Sequence, residues 1–150
     1  MGILGLGKTG LSVIKAMEQS GALLTCWDDD KEKRDNLSVD GVTVRDLNNK
    51  NLIRELDLLI VSPGIPHLYP KPHPVVRQAY ELNIRVDNDI GLFFSTHMKD
   101  EYETFSKPPK IIAITGSNGK STATALAGHV FSKVFGNVEI GGNIGKPVLE

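Results

Sequence analysis

The chain is poor in cysteine: Cys26 stands alone among 150 residues. One thiol excludes an intrachain disulfide framework and fits a reducing compartment. An excess of one charge is missing too, since 17 Lys and Arg face 18 Asp and Glu. No basic field is therefore present to draw in nucleic acid or an acidic membrane surface, and neither is expected as a partner. No apolar run approaches the roughly 20 residues that cross a bilayer. The opening MGILGLGKTG is too rich in glycine for a signal peptide, so the reading is a cytoplasmic protein with no membrane insertion. Internal repeats and low-complexity segments are also lacking.

What is present is a hydrophobic fraction of 40%, enough for the core of one ordinary domain. Short apolar runs alternate with helical patterns. Ile3 and Leu4 lead into a glycine turn, and Leu11, Ile14 and Met17 then share one helical face that ends at Gly21. Strands are expected at 22–27, 42–44, 57–61 and 84–86, with helices at 31–37 and 73–83. Turn signals follow each strand, which implies an α/β fold: a Rossmann-like, doubly wound, mostly parallel sheet over residues 1–94. Residues 95–109 change to mixed charge and Pro108-Pro109 and read as a linker. The alternation then restarts, with strands expected at 110–115 and 138–140 and a helix at 120–135 bearing Ala123, Leu126, Val130 and Val134 on one face. One helix between two strands is too little for an independent core, so 110–150 reads as the truncated start of a P-loop α/β ATPase domain.

Two glycine-rich loops carry the chemistry. Gly5-Leu6-Gly7-Lys8-Thr9-Gly10 is a G-x-G-x-x-G between a strand and a helix. Its glycines permit a tight turn, close approach of backbone to a phosphate, and close packing of helix on strand, while the helix start offers free N–H groups to a diphosphate. Asp28 ends the next strand, where an acidic group accepts from a ribose or a base. The motif by itself does not separate NAD from a UDP-sugar, and a purely structural turn is the competing reading. Thr115-Gly116-Ser117-Asn118-Gly119-Lys120-Ser121-Thr122 is the second loop. Gly116, Ser117, Asn118, Gly119 and Thr122 would surround ATP phosphates, Lys120 would reach the terminal ones as the catalytic cation, and Ser121 would place its hydroxyl on Mg²⁺. Ile114 stands where a P-loop has its first glycine.

The loops Ser62-Pro63-Gly64 and Gly141-Gly142-Asn143 also follow strands, and each alone is more a turn than a site. His67 and His73 lie in a proline-rich loop and are read as solvated, not as a metal pair. Cys26 is read as core and Trp27 as packing at a strand end, with flanking of a base as its other role. Asp87-Asn88-Asp89 reads as a capped turn rather than a metal site.

Together, GLGKTGLS (5–12), the strand ending at Asp28, DLLIVSPGIP (57–66), AITGSNGKST (113–122) and GGNIGKP (141–147) resemble the D-glutamate-adding branch of the Mur ligase family. The resemblance implies an ATP- and Mg²⁺-dependent ligase that joins D-glutamate to UDP-N-acetylmuramoyl-L-alanine through an acyl phosphate, in cell-wall precursor synthesis. It implies that Gly7, Lys8, Thr9 and Gly10 hold the uridine diphosphate, with Asp28, Ser62, Pro63 and Gly64 near uridine and Asn143 near the junction with the second domain. It implies a monomeric full-length protein, and an inert 150-residue chain, because the family's remaining metal ligands and D-glutamate site lie beyond these segments. Sister ligases and folylpolyglutamate synthases look similar at the second loop but usually carry other residues before its Gly-Lys, and the pairing of the N-terminal glycine loop with Ser62-Pro63-Gly64 favours this branch over them. An NAD-dependent oxidoreductase would leave that second loop unexplained. Gly91 departs from the acidic residue often found there in the family.

Overall fold

A computed structural model describes residues 1–18, 20–95, 110–143 and 145–150. Elements β1 (Gly2–Leu4), α1 (Lys8–Met17), β2 (Leu24–Trp27), α2 (Lys31–Asp35) and β3 (Val42–Val44) open the chain. They are followed by α3 (Lys50–Arg54), β4 (Leu58–Val61), α4 (Pro74–Glu81) and β5 (Arg85–Asp87). Helical backbone at 89–95 (α5) and the helix α6 (Lys120–Phe135) complete the described elements.

The five strands form one sheet in the order β3-β2-β1-β4-β5, with every pairing parallel. Leu4 at the end of β1 lies level with Trp27 of β2 and Val61 of β4. A doubly wound sheet buries both faces, so its central strands are continuously apolar. Alternate residues go to opposite faces. Leu4, Leu59 and Val61 pack with Ile53 of α3 and with Val75, Val76 and Ala79 of α4. Ile3, Cys26 and Ile60 pack with Val13 and Ile14 of α1 and with Leu92 of α5. Burial pushes the Cys26 thiol up to about 12, so it is a small apolar core residue and not a nucleophile.

Of the residues expected on the inward face of α1, Ile14 is buried and Met17 packs against the core, whereas Leu11 does not. Gly10, Val13 and Ile14 are buried, while Leu11 is 44% exposed. The cause is Gly10: a Cβ there would collide with the Gly5 carbonyl oxygen, so this position must face the strand turn and the rest of the helix follows. Helix α3 falls in a stretch the sequence pattern left unassigned; Asn49 caps it by accepting from the Asn51 N–H, and Leu52 and Ile53 are its buried residues.

The second unit differs more. Among the described residues the runs 110–115 and 138–140 are not paired into strands, and the pairing found there is one parallel bridge, Gly141 to Lys146. An apolar run becomes a strand only beside another strand, and the described sheet lies wholly within β1 to β5. Helix α6 forms where expected, but its apolar face is open: Leu126, Val130 and Val134 are 63%, 46% and 67% exposed. Gly128 is its buried residue, set against Ile140. Of the expected linker only Ser95 is described, and it is helical; 96–109 lie outside the described residues. Leu149 folds back onto the α1 side of the core. No helix among the described residues is long and apolar enough to cross a membrane.

Gly10→Ala is expected to lower the unfolding free energy by about 1–3 kcal/mol, the usual cost of forcing volume into a packed site. Urea denaturation followed by circular dichroism measures it; an unchanged midpoint would show that the helix and strand do not need this close approach.

Candidate functional site

Loops at the C-terminal ends of β1, β2 and β4 converge, as they do at the crevice of any doubly wound sheet. They surround an open cleft of about 530 Å³, within the range of small-ligand sites. The β1–α1 turn contributes Gly5, Gly7, Lys8 and Thr9, and the β2–α2 turn Asp28, Asp29 and Lys33. Residues 62–66 and His73 form the β4 side, and Gly142, Asn143, Gly145 and Pro147 close it from the C-terminal segment. Thus Gly7, Lys8, Thr9, Asp28, Ser62, Pro63, Gly64 and Asn143 are brought to one place. Gly10 is not at the cleft surface; it sits beneath the turn, against Gly5.

The glycine turn is held from both sides. The buried Leu6 N–H donates to Asp28 Oδ2 at 2.7 Å, and the Ser62 hydroxyl donates to the Gly5 carbonyl at 3.0 Å. Gly5 itself has φ +96°, a left-handed value, and its missing Cβ leaves room for Ser62 and Ile65. Gly7, by contrast, has ordinary extended angles, φ −76° and ψ −171°, and nothing within 4 Å of where a Cβ would stand. The backbone does not require glycine at position 7; the empty space beside it belongs to the cleft. Helix α1 begins at Lys8, so its first N–H groups and positive end face that space.

Asp28 is anchored more than it is free. Besides Leu6 it accepts from the Asp30 N–H at 2.9 Å and from Lys33 Nζ at 3.3 Å. Burial would raise its carboxyl, but these donors outweigh burial and hold it below the usual carboxylate range. Arg34 lies 4.2 Å over the Trp27 ring and donates to the carbonyls of Asp28, at 2.6 Å, and Asp29, at 2.9 Å. Trp27 therefore serves as a platform for this arginine and packs at the strand end.

His73 is not the solvated loop residue that its proline-rich setting suggests. Its side chain is 14% exposed, caps α4 by accepting from the Val75 N–H, and meets Asp29 Oδ2 at 2.9 Å. That bond, with the Trp27 indole N–H on the other oxygen, holds Asp29 below the usual range. Asp29, Lys33 and His73 were the cleft residues that sequence reasoning passed over; the only local signal was a capping position before Pro74. The Asp87-Asn88-Asp89 turn is a cap, with Asn88 accepting from the Gly91 N–H at 2.8 Å. A side chain at Gly91 would meet the Asp87 carboxylate. Asp89 is 2% exposed, and burial raises its carboxyl.

The second glycine loop stands apart: none of residues 116–122 lines the cleft. Gly116 and Gly119 have φ +150° and +75°, values that favour glycine. Lys120 Nζ folds back to the carbonyls of Gly116, at 2.6 Å, and Ser117, at 3.3 Å. Ser121 and Thr122 follow in the first turn of α6, whose leading N–H groups have no intrahelical acceptor. Among the described residues no group of three or more His, Cys, Asp or Glu could hold a metal ion.

A family model described as Mur ligase MurD-like, N-terminal domain, matches residues 1–87. The chain belongs to this MurD-like Mur ligase family. Among curated relatives, the UDP-N-acetylmuramoylalanine–D-glutamate ligase of Ruegeria pomeroyi is 47% identical over 148 residues, covering 99% of this chain and 32% of the relative. Proteins of the same name from Roseobacter denitrificans and Cereibacter sphaeroides are 45% and 44% identical over the same coverage. The chain thus spans about a third of the length of these MurD-like relatives. The family match covers the five-stranded sheet and three of the four cleft loops.

Asp28→Ala leaves the buried Leu6 N–H without its acceptor and is expected to cost about 1–3 kcal/mol at neutral pH. The folded-state pKa of Asp28 is depressed, so its contribution is present above the unfolded value near 3.9 and is lost as pH falls through the folded value. Urea denaturation of both proteins between pH 7 and the acid limit should show the gap between them closing below about pH 4. A gap constant across that range would mean that the carboxylate charge is not what the turn depends on.

Proposed function

We propose that the cleft holds UDP-N-acetylmuramoyl-L-alanine for an ATP-dependent ligase that adds D-glutamate to it. The observation that carries this reading is the convergence of the glycine turn, with its empty space at Gly7, upon Asp28, Ser62–Gly64 and Asn143. A diphosphate needs positive field and backbone N–H groups, and the start of α1 with Lys8 and Thr9 offers both. Gly10 acts from below, by letting the helix start approach the strand. Asp28 and residues 62–64 lie at the nucleoside end, and Asn143 faces the cleft from the C-terminal segment. The names of the relatives, UDP-N-acetylmuramoylalanine–D-glutamate ligases, support the same substrate class.

Turnover is proposed for the protein at its relatives' full length. There the precursor's carboxylate attacks the γ-phosphate of ATP and releases ADP, and the amine of D-glutamate then displaces inorganic phosphate from the resulting acyl phosphate, losing a proton as the amide forms. Such chemistry rests on positioning and on neutralising charge. In this chain Lys120 is the residue that would leave its two carbonyls to meet transferring phosphate, and Gly116 to Gly119 with Thr122 would cradle the rest. Ser121 would place its hydroxyl on the Mg²⁺ that accompanies ATP, an ion that usually takes only one or two protein ligands and screens phosphate charge. One protein oxygen from this segment fits that habit.

Gly7→Val tests the cleft reading, because its backbone angles suit any residue while its side chain would stand in the proposed diphosphate space. Poorer capping of α1 should cost up to about 1 kcal/mol of stability, leaving the domain folded. Calorimetric titration with UDP-N-acetylmuramoyl-L-alanine should show affinity weakened about tenfold or more. Binding of the precursor by both proteins with equal affinity would move the diphosphate elsewhere. Binding of NAD by the unaltered chain, with no response to UDP compounds, would overturn the ligase reading.

A further inference from the structure

His73 and Asp29 come from opposite sides of the cleft. Asp29 lies in the turn after β2, and His73 begins α4, which follows β4. Since β1 lies between β2 and β4 in the sheet, a bond between these two residues spans the crevice above the end of β1. Both residues line the cleft.

The two ring nitrogens of His73 have different tasks. Nδ1 accepts from the Val75 N–H at 3.3 Å and so carries no proton. Nε2 then carries it and donates to Asp29 Oδ2 at 2.9 Å. Pro74, with no N–H of its own, leaves Val75 as the nearest donor for the cap. Asp29 is fixed in turn, for Trp27 donates to its other oxygen at 3.1 Å and Arg34 to its carbonyl at 2.9 Å. A pair whose carboxylate is 67% exposed contributes little to stability. It does join two turns that form opposite walls of the cleft.

We propose that His73 is a positioning residue for the cleft, and that its bridge to Asp29 sets the width of the nucleoside-diphosphate site. This rests on the reading of the cleft as a UDP site. The bridge holds the β2–α2 turn, with Asp28 and Lys33, at a fixed distance from α4 and the loop that precedes it. A ligand lying across the end of β1 then meets both walls already in place, and no binding energy goes into ordering them.

Three variants of the 150-residue chain separate the bridge from the cap. In His73→Asn the shorter amide still accepts from the Val75 N–H but does not reach Asp29 as well. Asp29→Ala removes the acceptor and leaves the cap, and the double variant closes the cycle. Calorimetry with UDP should show each single variant binding about twofold to fivefold more weakly, the range an exposed pair can supply, and the double variant no worse than either single one. Nitrogen NMR of the unaltered chain should find His73 protonated at Nε2, and melting temperatures should stay nearly level across the set. Single variants that bind UDP with unaltered affinity would overturn the positioning role and leave the cleft reading intact. Additive losses in the double variant would show that the two residues act separately, which also overturns the bridge. Failure of the unaltered chain to bind UDP would sink the cleft reading, and the proposal with it.

Discussion

The turn after β1 is where the structure is most constrained, and the cleft follows from it. Helix α1 must start almost on top of the strand end, close enough that Gly10 touches the Gly5 carbonyl. A turn that tight leaves a backbone N–H, that of Leu6, buried and facing the next strand, and Asp28 supplies its acceptor. It also leaves the Gly5 carbonyl facing β4, where the Ser62 hydroxyl donates to it. One steric requirement therefore ties together the ends of three strands that lie side by side in the sheet. It also sets the rotation of α1, since the residue pressed against the turn decides which of its neighbours enter the core.

This arrangement resolves an electrostatic difficulty. The cleft proposed for an anionic ligand has two carboxylates in its wall, Asp28 and Asp29. Both stay ionised and are held in place by donors. Asp28 is surrounded by two backbone N–H groups and Lys33, and Asp29 by the Trp27 indole and His73. Positive charge enters the same cleft from Lys33 beside Asp28, from Lys8 and from the start of α1. The acids serve as struts for the turns, and residual acceptor capacity remains for the polar edge of a nucleoside.

Much of this was legible in the sequence because it depends on neighbours in the chain. The apolar runs of β1, β2 and β4, the glycine turn between β1 and α1, and Asp28 at the end of β2 all announce themselves within a few residues. Other features depend on distance or on company. The partners His73 and Asp29 are 44 residues apart, and the proline-rich setting of the histidine points to solvent. Helix α3 has five residues with asparagines before it, so its pattern reads as loop, although Asn49 is itself the capping signal. The runs at 110–115 and 138–140 have strand composition, but composition supplies only one side of a ladder. On α1, counting apolar residues places Ile14 and Met17 correctly but also favours Leu11, which the close approach at Gly10 turns outward.

The two glycine-rich loops look alike in sequence and differ in what their glycines do. Gly10 is required by its neighbour, since an added Cβ would strike the Gly5 backbone. Gly119 has nothing within 4 Å of that position and is required by its own backbone, at φ +75°. The first loop is consequently held by contacts from two other strand ends, and its shape is a property of the whole sheet. The second is shaped locally, with Lys120 bonded to carbonyls of its own turn. A site for a bound precursor gains from the first kind of rigidity, because the walls it must match are far apart in the chain. On the proposed reading of the second loop, the second kind suits it, because exchanging two carbonyls for phosphate oxygens disturbs nothing in the core.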